Sequence, residues 1–268
     1  MERENWLDAA KGLAIILVVL GHCLNHFDNE GFHRLCDIIY LFHMPLFVFL
    51  SGYSFYWVAE HKSFSRNVLD NAAIYVIQSV IYIIFNICLQ RFIATSNHYT
   101  AVNFLTFPVI PVAHFWYIQA ILIYYCIFWL CERLVGNTAI RRALEAAVAV
   151  LSFVLSRFTD NTVLFRICYH LLFFTAGYFL HLFVKKMRFD MTGRLPGCGA
   201  ISYLGINSLW IYIFHPYVTS AVKAALGAFH VSSPLSGLMI MLVSALVFPL
   251  LLRLVMIKTG TSRLVTIR

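Results

Sequence analysis

The segment WLDAAKGLAIILVVLGHCLNHF sets four ionisable residues into an otherwise apolar run. At about 100° per residue, Asp8, Lys11, His22 and His26 fall within about 60° of one another and form one polar stripe on a helix. Lys11 and His22 are then separated by a rise of about 16 Å. An imidazole in that setting can take a proton from a hydroxyl, and a cation a membrane half-thickness away can attract phosphate. The plain structural reading makes Asp8 and Lys11 interfacial residues and His22 an interhelical hydrogen bonder. Both readings are open at this point.

Further polar residues interrupt apolar runs elsewhere. YLFHMPLFVFLSGYSF carries His43 and Pro45, with Ser51 and Gly52 further on. A proline kink and a small-residue helix contact account for Pro45 and Gly52. HKSFSR supplies Lys62 and Arg66 just after that segment, forming a basic mouth suited to a phosphorylated ligand. HFWYIQAILIYY holds Trp116, and YLGINSLWIYIFHP holds Asn207, Tyr212 and His215. Aromatic belts at a membrane interface explain Trp116 and its neighbour Tyr117, but His215 lies too deep for that account.

The elements that must position these groups are transmembrane helices. The chain has 268 residues, 61% hydrophobic and only 12% charged, whereas soluble domains are about 45–50% apolar and about 25% charged. Apolar runs long enough to cross a hydrocarbon layer of about 30 Å recur throughout. Spans are expected at approximately 10–27, 37–58, 71–91, 115–132, 143–158, 163–183, 203–225 and 235–257, the fifth being short and bearing Glu145. The fold class is therefore all-α, a polytopic bundle of about eight spans forming a single domain over 1–268. With both termini cytoplasmic, fifteen of the 20 Lys and Arg residues fall on the inner side, against Arg34, Arg91, Arg157, Arg166 and Lys223. That is the bias of the positive-inside rule.

The net charge of +8 sits in short segments between apolar runs, which argues for topology rather than nucleic-acid binding. Seven cysteines occur without metal-ligand or disulfide-framework spacing, and no metal site is expected. The first apolar segment lacks a small-residue cleavage site and reads as a true span. The outer segment about 92–114, with Pro108 and Pro111, is expected to be irregular.

Taken in order, Asp8–Lys11–His22, FHMPLFVFLSGY, FWYIQAILIY and LGINSLWIYIFH resemble the acyltransferase-3 family of membrane acyltransferases, most closely the branch of fucose 4-O-acetyltransferases and other polysaccharide O-acetyltransferases. The resemblance implies transfer of an acyl group, usually acetyl from cytoplasmic acetyl-CoA, to a hydroxyl of a glycan or lipid-linked sugar outside the membrane. His22 stands at the histidine regarded as essential in that family, and the inner basic residues, Lys11, Arg66 and Lys62, stand as the grip on CoA. Many members carry Arg where Lys11 stands, and about ten spans are common. Asp8 is expected to give structural support, while His43, Trp116, Asn207, Tyr212 and His215 are candidates for orienting the acceptor or stabilising the oxyanion.

No permanently bound cofactor is expected, with acetyl-CoA as donor, membrane lipid around the chain and the bacterial cytoplasmic membrane as its location. A covalent relay through His22 or Cys23 is a competing chemistry, disfavoured because adjacent helical residues point about 100° apart and an apolar setting suppresses the thiolate. A transporter or flippase of a lipid-linked sugar is the alternative function, and a non-catalytic scaffold a third.

Overall fold

The computed structural model describes residues 5–61, 63–89, 99–186 and 199–264, which contain helices and no β-strand. The helices are α1 (Asn5–Leu24), α2 (Glu30–His61), α3 (Phe64–Leu89), α4 (Asn103–Thr106), α5 (Trp116–Leu134), α6 (Thr138–Leu155), α7 (Thr162–Lys186), α8 (Gly199–Ile206), α9 (Ser208–Ala228) and α10 (Pro234–Lys258). This is an all-α, polytopic helical protein. Capping residues mark several starts: the Asn137 side chain accepts from the backbone N–H of Ala139 at 2.9 Å and of Ile140 at 3.2 Å, and Asn161 does the same for Val163 and Leu164. Ser233 followed by Pro234 opens α10 in the same spirit.

Among the described residues, six helical stretches are long and apolar enough to cross a membrane: Asn5–Leu24, Glu30–Tyr56, Arg66–Cys88, Ala113–Leu134, Thr162–Lys186 and Pro234–Lys258. Two of the eight expected spans take a different form. The region expected as the fifth lies in α6, which starts at Thr138 and so includes Arg141 and Arg142 as well as Glu145 in its first turns. The seventh, 203–225, is not one helix. Asn207 breaks it, with φ −103° and ψ 11°, and its side-chain amide donates to the Tyr203 carbonyl at 2.7 Å. That side chain competes with the helical ladder for a backbone acceptor, as Asn commonly does.

The chain divides into two compact units, one of 1–47, 84–99 and 190–268 and the other of 48–83 and 100–189. In the first unit α1 packs against α8, α9 and α10, and α9 against α10. Backbone closeness defines the α1–α8 contact. A Cβ on Gly12 would overlap the carbonyl of Ile201, and one on Gly205 would overlap the carbonyl of Asp8. The small residues permit main chains to meet, which is how helices gain dispersion contact when lipid offers no hydrophobic drive.

In the second unit α5, α6 and α7 pack together around a ring cluster of Phe55, Phe128, Phe174 and Tyr178, with neighbouring centroids 5.1–5.8 Å apart. The close approach expected at Gly52 is present, its Cα lying against the Phe174 backbone. α2 continues through Pro45 without interruption of the helix. The described part of the expected irregular segment contains α4 and a 3-10 turn over Ala113–Phe115. It is tied down by Gln119, whose amide donates to the Pro108 carbonyl at 2.8 Å, and by Tyr75, whose hydroxyl donates to the Phe107 carbonyl.

Candidate functional site

His22 occupies the last turn of α1 and is partly buried. Its ring centroid lies 5.2 Å from that of His215 on α9 and 6.2 Å from that of Tyr40 on α2. Tyr40 in turn lies 4.8 Å from His43, one turn along the same helix, and His215 lies 6.4 Å from Tyr212. Three imidazoles and two phenols from α1, α2 and α9 thus form one connected group inside the first unit. Four of the five, His22, His43, Tyr212 and His215, are site residues expected from the sequence.

The flanking imidazoles are held by their own helices. His43 Nδ1 is 2.9 Å from the Ile39 carbonyl, and His215 Nδ1 is 3.0 Å and 2.9 Å from the carbonyls of Ile211 and Tyr212. A carbonyl can only accept, so Nδ1 carries the proton in both rings and a neutral ring keeps its lone pair on Nε2. His215 is fully buried and His43 nearly so. Tyr212 is buried with its ring stacked at 6.4 Å on Phe47. Asn207 is also buried and its amide is used at the α8–α9 break.

Asp8 is buried at the α1–α8 contact, and Lys11 stands one turn further along α1, partly buried. His26 does not extend the polar stripe. α1 ends at Leu24, and the backbone N–H of His26 donates to the Cys23 carbonyl at 3.1 Å in a tighter turn. His26 instead lines a cavity of about 460 Å³ with Phe27, Lys223 and His230, one turn beyond His22.

In the second unit Trp116 opens α5, with its ring 5.0 Å from His170 and the Arg166 guanidinium 5.3 Å from its centroid. Arg66 is exposed on α3, and Lys62 lies outside the described residues. Cys23, the competing nucleophile, is fully buried in α1.

A family profile described as an acyltransferase domain matches residues 4–200. The chain belongs to the acyltransferase-3 family. Within this acyltransferase-3 chain the matched region includes His22, Tyr40 and His43 and stops before α9, which supplies Tyr212 and His215. Nodulation protein NolL of Sinorhizobium fredii (strain NBRC 101917 / NGR234) is 35% identical over 129 residues, covering 45% of this chain and 34% of that protein. Nodulation protein NolL of Mesorhizobium japonicum (strain LMG 29417 / CECT 9101 / MAFF 303099) is 37% identical over 75 residues, covering 26% and 20%. The alignments thus span about a third or less of these curated relatives' own length. No solved structure matches the chain.

Tyr40 is the group member that sequence reasoning passed over. Its spacing of three from His43 was the available signal, since i and i+3 share a helix face. The Tyr40 hydroxyl accepts from the Asn25 amide at 2.7 Å, which fixes the ring beside His22. Tyr40→Phe keeps the ring and loses that bond, so acyl transfer is expected to fall by less than about tenfold, the scale of one modest hydrogen bond. Steady-state rates at saturating donor, compared with Asn25→Ala, measure it: the two variants should lose similar amounts.

Proposed function

We propose that this chain moves a short acyl group, acetyl in the first instance, from acyl-CoA to a hydroxyl of a glycan or lipid-linked sugar. The observation that carries the reading is the placement of His22 in a group of imidazoles and phenols within a membrane acyltransferase of this family. Intramembrane ionisable groups are costly, and three histidines gathered from three helices support a functional reading of the group.

His22 takes the proton of the acceptor hydroxyl as the oxygen attacks the thioester carbonyl. The new C–O bond forms, the C–S bond breaks, and the proton passes to the departing thiolate to give free CoA. The nearby phenol O–H groups are the candidates for stabilising the oxyanion. The acceptor approaches from the cavity lined by His26 and Lys223, one turn beyond His22. Lys11, on the other side of His22 along α1, attracts the donor's phosphates, as Arg66 and Lys62 do from the segment after α2. The Lys/Arg-rich helix ends face the cytoplasm by the positive-inside rule, in a bacterial cytoplasmic membrane with both termini inside. Direct transfer is favoured over a relay through Cys23, which is fully buried and one residue around the helix from His22.

The test is transfer of radiolabelled acetyl from acetyl-CoA to membrane glycans, in membranes of a host lacking the enzyme with and without this chain. Label that depends on the chain and is released by mild base, as an O-ester is, supports the reading. Chain-dependent movement of a lipid-linked sugar across the membrane with no label transferred would replace it with the transporter.

A further inference from the structure

A cavity of about 660 Å³ opens within the second unit, where the C-terminal ends of α2 and α5 meet the starts of α3 and α6. Its size falls within the range of ligand pockets, about 300–1,000 Å³. One wall is a face-to-face stack of Phe64 on Trp129, centroids 4.5 Å apart and planes 12° apart, with the Arg133 guanidinium 5.5 Å from the Trp129 ring. Another wall carries Arg141 and Arg142, and these two arginines are not equivalent. Arg142 is engaged within the protein: it bonds Glu145 at 2.8 Å, donates to the Tyr178 hydroxyl and lies 4.7 Å from that ring.

Among the described residues the acidic group Arg141 reaches is Glu132, at 3.9 Å, well beyond the 2.7–2.9 Å or so of a charge-assisted hydrogen bond. Its side chain is 16% exposed and its Nε is buried without a hydrogen-bond acceptor among the described residues. A buried guanidinium N–H of that kind is costly unless something accepts from it. The acceptor that fits a planar fork is a phosphate or carboxylate, and the neighbouring stack of rings fits a flat heterocycle. A nucleotide unites the two. A lipid phosphate would answer to Arg141 but leave the Phe64–Trp129 wall without a role.

We infer that this cavity binds the adenosine phosphate end of the acyl-CoA donor, with Arg141 and Arg133 on phosphate and the Phe64–Trp129 stack against the base. The inference rests on the proposed reading of the donor as acyl-CoA. Arg66 stands on α3 between the lining residues Phe64 and Asn67, so this one residue of the basic mouth expected from sequence adjoins the cavity. The cations of these helix ends, Arg66, Arg133, Arg141 and Arg142, belong to the side that the positive-inside rule assigns to the cytoplasm, where CoA is found.

The experiment is calorimetric titration of the full chain in detergent with CoA and with adenosine 3′,5′-bisphosphate, alongside transfer kinetics. Both ligands are expected to bind, and Arg141→Gln and Trp129→Leu are each expected to weaken CoA binding about tenfold or more. KM for acetyl-CoA should rise in step while kcat holds. Arg133→Gln alters an exposed side chain, so it retains the fold and should weaken binding in the same direction. Unchanged CoA affinity, within about twofold, in both arginine variants would overturn the site. So would displacement of CoA by phosphatidylglycerol micelles but not by the bisphosphate, which would assign the cavity to lipid. Arg141-dependent CoA binding without acyl transfer leaves the cavity and removes the proposed function; transfer with Arg141-independent binding does the reverse.

Discussion

His22→Ala is expected to reduce acyl transfer by about 10²–10⁴-fold while leaving CoA binding within about twofold of the parent chain, the range a positioned general base supplies. The separation of the two effects follows from the geometry. His22 lies in the last turn of α1 against His215 and Tyr40, whereas the lining of the cavity assigned to the nucleotide includes no residue of α1 or α9. Transfer rates at matched protein levels, paired with CoA titration, check it. A merely structural histidine would give a different pattern, with lowered yield and with activity recovered in whatever fraction still folds. His22→Gln preserves hydrogen bonding without a titratable proton acceptor, so it should be as inactive as the alanine variant.

The second large effect is on folding. Gly205→Val is expected to reduce the yield of folded, monodisperse protein at least about tenfold, because its side chain would have to occupy the space of the Asp8 carbonyl and the Gly12 amide. Overpacking of a tight contact typically costs about 1–3 kcal/mol, and a backbone opponent cannot rotate away as a side chain can. Gly12→Val attacks the same contact from the α1 side, against the Ile201 carbonyl, and should behave alike. Gly136→Val is the control, since a Cβ there meets nothing within 4 Å. Detergent-solubilised size-exclusion profiles and thermal unfolding of the three variants measure the difference. Equal yields for Gly205→Val and Gly136→Val would show that the α1–α8 contact does not hold the unit together.

Much of the site was legible because of what a membrane forbids. His22, His43 and His215 stood out as ionisable groups inside apolar runs, and the structure gathers all three. Tyr40 was hidden by the same logic, since an aromatic residue near a membrane interface has an ordinary explanation. The break at Asn207 was equally hard to see: one Asn amid Leu, Ile and Trp scarcely alters mean hydropathy, yet its side chain takes the Tyr203 carbonyl and divides the helix. Glu145 made the fifth span look weak, but its partner Arg142 lies three residues away and is itself held by Tyr178, 36 residues further along the chain. Periodicity reports which face is apolar, not which opposing side chain will neutralise a buried charge. Arg141 was read only as a topology signal, and its unanswered Nε becomes visible only in three dimensions.

The backbone bonds of His43 and His215 carry a bioenergetic consequence. Both Nδ1 protons are committed to carbonyls of their own helices, so neither ring can pass a proton sideways without first breaking that bond. Neither ring therefore serves as a ready proton relay for His22. In the proposed reaction the proton lifted from the acceptor has one economical destination, the sulfur that leaves, and the cycle closes without net exchange with either aqueous phase. Turnover would then be indifferent to the protonmotive force: a protonophore that collapses the gradient in sealed vesicles should leave the initial rate unchanged, however steep the gradient across the membrane this chain inhabits.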